Sequence, residues 1–360
     1  MRIFINPSGQ RENLGDSVLR RGYINELREL GEVHVLAGAH ASYVSGLGLT
    51  DADCKYATKR EWFSAAFNYM RRERSVFAVN AGEVVTGRNF ATSYVWQYAL
   101  AQAVRAGGGA TVAMGMGNRE EPGTTRLLLR RFAHGADFVT WRDESACAQF
   151  GVGSVQPDWA AALGQPDAEL MSGSSARTRV VVSLRGDRDV PDANWFTAVE
   201  ESLAAMGSPE VIAVVQVLRD TDRARELAHR FGGRTLEWPT DRSHAEHEQV
   251  LRALYRTSKA VISDRIHALI IGMTEGAVPI GFTPHSAQKV SKTFRAIAPS
   301  TAAWSAQDAT IAASDHTSRI LAAAQDGQII MAELVSARAR LRETCVQLRA
   351  AIDAPVDGRS

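Results

Sequence analysis

The chain is poor in cysteine. Its 360 residues hold three, Cys54, Cys147 and Cys345, with no Cys-x-x-Cys pair. That count excludes a disulfide framework, argues against a structural zinc and fits a reducing cytoplasm. An excess of either charge is also missing: 41 Lys plus Arg against 40 Asp plus Glu leave a formal net charge of +1. Without a basic field, nucleic acid is not expected as the main partner, although a local anion pocket stays compatible. Long apolar runs are absent. The runs at 259–263 and 268–271 are broken by charge or Gly, well short of the ~20 residues of a membrane span. No transmembrane segment is expected, and a position at the inner membrane surface is left open. The opening Met1–Asn6 turns polar too early for a signal peptide. No Gly-x-Gly-x-x-Gly follows the first apolar run and no P-loop Lys occurs, so nicotinamide and ATP are disfavoured, and no cofactor or metal is expected. His244, His247 and Glu248 have a metal-like spacing, but no third ligand lies at a familiar distance, so a solvated helical turn is expected there.

What is present is alternation. Hydrophobic residues make up 45% and charged ones 22%, ordinary for a soluble enzyme, and the length suits two domains. Strands are expected at Arg2–Asn6, Val33–Leu36, Val76–Asn80, Ala110–Met114 and Phe138–Trp141, with helices at 17–30, 60–73, 88–106 and 124–134 between them. After the polar stretch Met171–Thr178, the best boundary, the pattern restarts. Strands follow at Arg179–Leu184, Val211–Val217, Arg234–Glu237, Lys259–Ile262 and Val278–Gly281, separated by helices near 192–206, 220–230, 243–257, 265–275 and 286–297. Such alternation implies parallel sheets with crossover helices. The expected fold class is α/β: two doubly wound Rossmann-like domains, 1–172 and 178–304, facing across a cleft. The helical segment 305–352 packs back on the first domain in this reading, and Asp353–Ser360 frays. Ligand belongs at the C-terminal ends of the strands. The seven Trp are expected mainly in the core.

The most informative segment is Lys259–Met273. A strand ends at Ile262 and a helix starts near Ser263 or Asp264. Ile266, Leu269, Ile270 and Met273 form its buried stripe. Arg265 and His267 lie about 100° to either side of Ile266 on a helical wheel. They cannot share a face, but both can reach a ligand off the helix N-terminus, where free N–H groups favour an anion. The bland reading makes Ser263 or Asp264 a cap and Arg265 and His267 solvated flanks. Val180–Gly186 supplies a second cation, Arg185, at the end of a buried strand: either a planar fork that suits carboxylate or phosphate, or a plain surface Arg after a strand.

Ser263–Ile270, S-D-R-I-H-A-L-I, resembles the signature of the polysaccharide pyruvyl transferase family. Other pieces follow in that family's order: Asn13-Leu14-Gly15-Asp16, then Phe138–Ser145 with Arg142-Asp143, then Phe150-Gly151-Val152, Pro157-Asp158, Ser183-Leu184-Arg185, and Lys289 with Lys292. The resemblance spans roughly residues 3–295. The chain departs at Asn80-Ala81-Gly82-Glu83, where many members carry a glycine run. The resemblance implies a fold similar to the B-type glycosyltransferases. It also implies transfer of the pyruvyl unit of phosphoenolpyruvate to two hydroxyls of one sugar, giving a cyclic ketal and phosphate. By that resemblance Arg185, Arg265 and His267 bind the donor. Ser263 and Ile266 are further donor-side candidates, and His285, Lys289 and Lys292 either extend the phosphate pocket or form a solvated helix start. Phosphoenolpyruvate is then a co-substrate.

Chemistry agrees with that assignment. Two Arg forks and a helix N-terminus suit a small molecule with a carboxylate and a phosphate. The reaction needs a proton delivered to the methylene carbon, and imidazole is the side chain suited to do so near neutrality. His267 is therefore either the general acid or a phosphate hydrogen-bond donor. On the acceptor side Asn13, Asp16, Asn80, Glu83, Asn118 and Asp158 are candidates, Asp16 also as a base. Asp16 as a helix cap and Asp158 as ordinary turn chemistry are the bland readings. Arg142-Asp143 is expected to be an internal salt bridge. The competing readings are a B-type glycosyltransferase using a nucleotide sugar and a non-catalytic glycan- or phosphate-binding protein on the same fold.

Overall fold

The computed structural model describes residues 1–84, 90–118, 123–173, 177–307 and 310–354. The start of the expected helix 88–106, part of the boundary stretch Met171–Thr178 and nearly all of the tail Asp353–Ser360 lie outside the described residues. The chain forms two parallel sheets. The first contains β1 (Arg2–Ile5), β2 (Glu32–Leu36), β3 (Cys54–Tyr56), β4 (Ser75–Val79), β5 (Gly82–Glu83), β6 (Ala110–Gly117), β7 (Phe138–Trp141) and β8 (Ser154–Val155). Its order is β3-β2-β1-β4-β6-β7-β8, with β5 on β6. The second contains β9 (Arg179–Ser183), β10 (Glu210–Val214), β11 (Arg234–Leu236), β12 (Ser258–Ser263), β13 (Val278–Thr283) and β14 (Ala303–Ser305), in the order β11-β10-β9-β12-β13-β14.

Both orders are of the Rossmann type, with the first strand of each sheet flanked by the second and the fourth. The ladders between the named strands are parallel, because helices cross over between nearly all successive strands and return the chain to the same end of the sheet. Helices cover both faces, so the central strands are apolar throughout. Val180–Val182 and Ala260–Ile262 are fully buried, which is why they read as unbroken hydrophobic runs and not as an alternation. Five of the strands have only two or three residues; of these β11 was expected, while β3, β5, β8 and β14 have no periodicity to read. The short helices Ala41–Ser45, Glu144–Phe150 and Asp167–Ser172 were likewise not expected.

The residues group into two compact units. One comprises Met1–Gln10, Asp16–Trp159 and Ala339–Ser360; the other comprises Arg11–Gly15 and Ala160–Arg338. The chain therefore divides at Trp159 and Ala160, earlier than the expected stretch at 171–178. The helix Ala313–Gln325 belongs to the second unit, where the Thr317 hydroxyl meets Glu201. The long helix Gly327–Asp353 contributes to both, and in the first unit Arg349 donates to the Glu29 carbonyl. Trp62, Trp141, Trp159 and Trp195 are fully buried, so these four indoles are core material and not sugar platforms.

Candidate functional site

In the second unit the strand order reverses direction between β9 and β12, and a ligand of a doubly wound sheet binds at the C-terminal ends of such a pair. Arg185 follows β9 by two residues, and Asp264, Arg265, Ile266 and His267 follow β12 directly. Ser263 Oγ donates to the Ser183 carbonyl and accepts from the Arg265 N–H at 2.9 Å, which locks the two strand ends together. Ser263 is fully buried and its hydroxyl is engaged in these two bonds, so it ties the strand ends together instead of standing open to the donor as expected. The helix begins later than expected, at Ile266, with Arg265 at its N-cap and no side-chain cap.

Two carboxylates that the sequence analysis did not single out dominate the geometry. Asp220, 1% exposed, grips Arg265 in a fork-on-fork pair, Oδ2 to Nε at 2.8 Å and Oδ1 to Nη2 at 2.6 Å. The same Oδ1 accepts from the Gly186 N–H at 2.7 Å. Asp187 does the same for Arg185, with Nε at 2.9 Å and Nη2 at 2.7 Å. Asp187 is also 3.6 Å from Arg219 Nη1 and 3.9 Å from Arg265 Nη2. Three guanidinium groups thus converge on one partly exposed carboxylate. The picture of two open Arg forks needs correcting: both are engaged by carboxylates of the chain itself. The hydrogen bond from Arg185 holds the Asp187 carboxyl at about 2, well below its ordinary value.

Asp264 has the opposite character. Its Oδ1 accepts from the Arg185 N–H at 2.9 Å, and burial pushes its carboxyl up to about 6. A raised folded-state value means that the unfolded chain ionises first. This group therefore subtracts stability as pH rises from about 4 to about 6, and the loss is complete above that window. Asp187 has the reverse sign: its contribution is present above about 4 and is lost as pH falls toward 2. Asp264→Asn keeps an oxygen acceptor for Arg185. It is expected to flatten the stability profile between about pH 4 and 6 and to raise stability at neutral pH by at most about 3 kcal/mol. Urea midpoints at the two ends of that window check this.

His267 sits in the first turn of the helix Ile266–Thr274, half-buried. A residue from the far end of the sequence shapes its position. A Cβ on Gly15 would lie 2.3 Å from His267 Nδ1 and 2.5 Å from its Cβ. Only a residue without a side chain fits there. Arg11–Gly15 belong to the second unit: Asn13 bridges Val217, the Leu14 N–H donates to the Gln216 carbonyl, and His244 Nε2 meets the Arg11 carbonyl at 2.8 Å. Asn13 was expected among first-domain acceptor groups; instead its Oδ1 accepts from the Gly15 N–H and shapes the loop against His267. Gly15→Ala is expected to displace the His267 ring and lower turnover at least ~10-fold with the fold retained, in line with the sensitivity of catalytic geometry to small displacements. Steady-state rates beside circular dichroism would check it.

The remaining donor-side candidates surround the loop after β9. His285 Nε2 is 3.3 Å from the Asp189 carbonyl, and Arg223 donates to the carbonyls of Arg188 and Asp189. His285 thus braces the loop that carries Arg185 and Asp187. Lys289 is exposed and Lys292 half-buried on the helix Gln288–Arg295. Ile266 is buried. The His244–Glu248 turn is not solvated as expected: both rings are buried, and His247 Nε2 meets the Val215 carbonyl at 2.7 Å. Burial pushes the His247 ring down to about 4.

In the first unit the acceptor candidates lie near the ends of β1, β4, β5 and β6. Asp16 accepts from the Gln10 N–H at 2.7 Å and faces Arg20 at 3.2 Å. Asn80 Nδ2 donates to the Ser8 carbonyl at 2.7 Å, while its Oδ1 is buried without a hydrogen-bond partner among the described residues. Asn118 Nδ2 donates to Gln149. Arg142 Nη2 is 3.7 Å from Glu83 Oε2, and Asp143 caps the helix Glu144–Phe150 through the Ala146 N–H. The expected Arg142–Asp143 bridge is therefore two separate contacts. Asp158 is 1% exposed, which suits a group that holds the fold and not the expected sugar contact.

These two Rossmann-like sheets place the protein among α/β folds of the B-type glycosyltransferase kind. The chain aligns with Arabidopsis thaliana UGT89C1 complexed with UDP-L-rhamnose at TM-score 0.58 and 10% identity, over 98% of this chain and 99% of that one. It aligns with a UDP-GlcNAc 2-epimerase from Neisseria meningitidis bound to UDP-GlcNAc at TM-score 0.57 and 10% identity, over 96% and 100%. A glycosyltransferase from Rickettsia africae matches at TM-score 0.56 and 9% identity, over 100% and 98%. At such identities the likeness concerns the fold alone. No curated protein matches the sequence. The polysaccharide pyruvyl transferase profile matches residues 13–286, and the chain belongs to that family. Among the described residues no helix is long and apolar enough to cross a membrane.

Proposed function

We propose that the protein moves the pyruvyl group of phosphoenolpyruvate onto two hydroxyls of a sugar in a cell-surface glycan or its precursor. The observation that carries this reading is the convergence of Arg185, Arg219 and Arg265 on Asp187 at the C-terminal ends of β9 and β12, with His267 in the first turn of the helix that Arg265 opens. A carboxylate already occupies the point between the cations, so the place suits an anionic group. The donor's carboxylate or phosphate takes that place by exchanging with Asp187, and Asp220 keeps Arg265 aimed throughout. His267, half-buried, delivers a proton to the donor's methylene carbon. One sugar hydroxyl then adds to C2 and gives up its proton. A second hydroxyl adds as the C2–O bond to phosphate breaks, and its proton leaves with phosphate. Two C–O bonds form, and one C–O bond and one carbon–carbon π bond are lost. No cofactor takes part in these steps. Asp16, Asn80, Glu83 and Asn118 are assigned to the acceptor. The reading places the protein in the cytoplasm, where its three free cysteines stay reduced.

Incubation with phosphoenolpyruvate and a panel of pyranosides tests the activity. Phosphate release matched one-to-one by acid-labile pyruvate ketal supports it; no turnover across the panel favours a binding protein, and turnover of a nucleotide sugar favours a glycosyltransferase. Asp187→Asn removes the competing carboxylate. Because that pair is partly exposed and screened, inhibition by inorganic phosphate is expected to tighten only about 2- to 5-fold. Weakened inhibition would mean that Asp187 helps hold the anion.

A further inference from the structure

We infer that Glu32, His34 and Cys54, in the first unit, bind one borderline divalent cation, with zinc the best match. The site does not depend on the activity proposed above. In the ladder between β2 and β3, His34 is paired with Cys54, and Glu32 lies two residues before His34 on the same strand. With a side-chain period of two, all three project from one face of the sheet. The candidate ligand atoms, a carboxylate oxygen, a ring nitrogen and a thiol sulfur, lie within 4.8 Å of one another. Cys54 Sγ is 3.1 Å from Glu32 Oε1, and His34 Nε2 is 3.6 Å from the same oxygen. Tetrahedral zinc with bonds of ~2.0–2.3 Å spaces its ligands about 3.3–3.7 Å apart. Small side-chain shifts suffice to bring the three onto one ion.

A second observation points the same way. His34 is 0% exposed, yet its Nε2 makes no hydrogen bond among the described residues and is turned toward Glu32. Its Nδ1 lies 2.8 Å from Tyr56 Oη. If Nδ1–H donates to Tyr56, the Nε2 lone pair is open for a metal, and the tyrosine fixes ring and tautomer as outer partners of metal-bound histidines do. Charge is also suited. Arg2 Nε lies 3.3 Å from Glu32 Oε2, and Arg2 also pairs with Glu73, so the three groups leave one negative charge uncompensated. Binding a dication while the Cys54 thiol gives its proton to solvent, with a metal–sulfur bond formed, brings the group to neutrality. One nitrogen, one sulfur and one oxygen ligand select zinc over magnesium or calcium. Glu32 is exposed, so water can supply a fourth ligand, and the ion would pin the three-residue edge strand β3. The sequence argument against zinc rested on Cys–Cys spacing; a set built across two strands leaves no such spacing.

Titration of reduced, metal-stripped protein with cobalt(II) tests the site. The expected result is a thiolate-to-cobalt charge-transfer band saturating at one equivalent, displaced by zinc, retained in Cys147→Ser and Cys345→Ser and lost in Cys54→Ser. Tyr56→Phe is expected to weaken cobalt affinity about 10- to 100-fold. Should Cys54→Ser fail to fold, exposed Glu32→Gln gives the same reading by a weakened, shifted band. Absence of the band in the parent protein, its survival in folded Cys54→Ser, or an unaltered band in Glu32→Gln overturns the inference.

Discussion

Arg265→Ala is expected to cost about 3–5 kcal/mol of folding stability, because it strands the carboxylate of Asp220 in a buried position with one backbone N–H for company. The pair joins the turn after β10, which carries Asp220, to the strand end of β12, so its loss unties two strand ends of the second sheet at once. The double variant Arg265→Ala with Asp220→Ala removes both charges and is expected to recover most of that loss. Urea unfolding of the two variants separates the charge effect from lost packing. If the single variant lost under about 1 kcal/mol, the fork-on-fork pair would not exist in solution. In the stable double variant the donor site is still missing a guanidinium, so phosphoenolpyruvate binding stays weak although the fold has returned. That contrast tells a positioning role for Asp220 from a binding role for Arg265.

His267→Gln is expected to lower phosphate release at least ~100-fold, the usual scale for removing a general acid. Glutamine keeps an N–H donor of similar reach but cannot deliver a proton at neutral pH. A variant that keeps nearly all of the parent rate would remove proton delivery and leave His267 with hydrogen bonding alone. Donor affinity measured beside the rate sharpens the result: a fall in kcat with little change in the dissociation constant is what a proton donor predicts. Gly15 gives an independent handle on the same ring, since its missing side chain is what lets His267 stand where it does.

The fold was legible where runs were long. Val180–Val182 and Ala260–Ile262 are buried on both faces, so their composition alone marks parallel central strands. The strand–helix joint at Ser263–His267 was legible for the same reason, together with Arg185 at the end of β9. The carboxylates that organise these cations were not. Asp187 and Asp220 sit in loop and 3-10 segments, where an aspartate is ordinary turn chemistry, and only the fold brings them to the guanidinium groups. The Asn13–Gly15 segment misled for another reason. It follows β1 in sequence, yet its backbone bonds go to Gln216 and Val217, a pairing that no local pattern announces.

The central claim is that the cation cluster after β9 and β12 holds phosphoenolpyruvate. Thermal unfolding with phosphoenolpyruvate, and separately with nucleotide sugars, tests it most directly. At a concentration 100 times its dissociation constant the true donor adds about 2.7 kcal/mol to stability. That gain is expected for phosphoenolpyruvate and is expected to disappear in the Arg185→Ala variant. Stabilisation by a nucleotide sugar with none from phosphoenolpyruvate would contradict it.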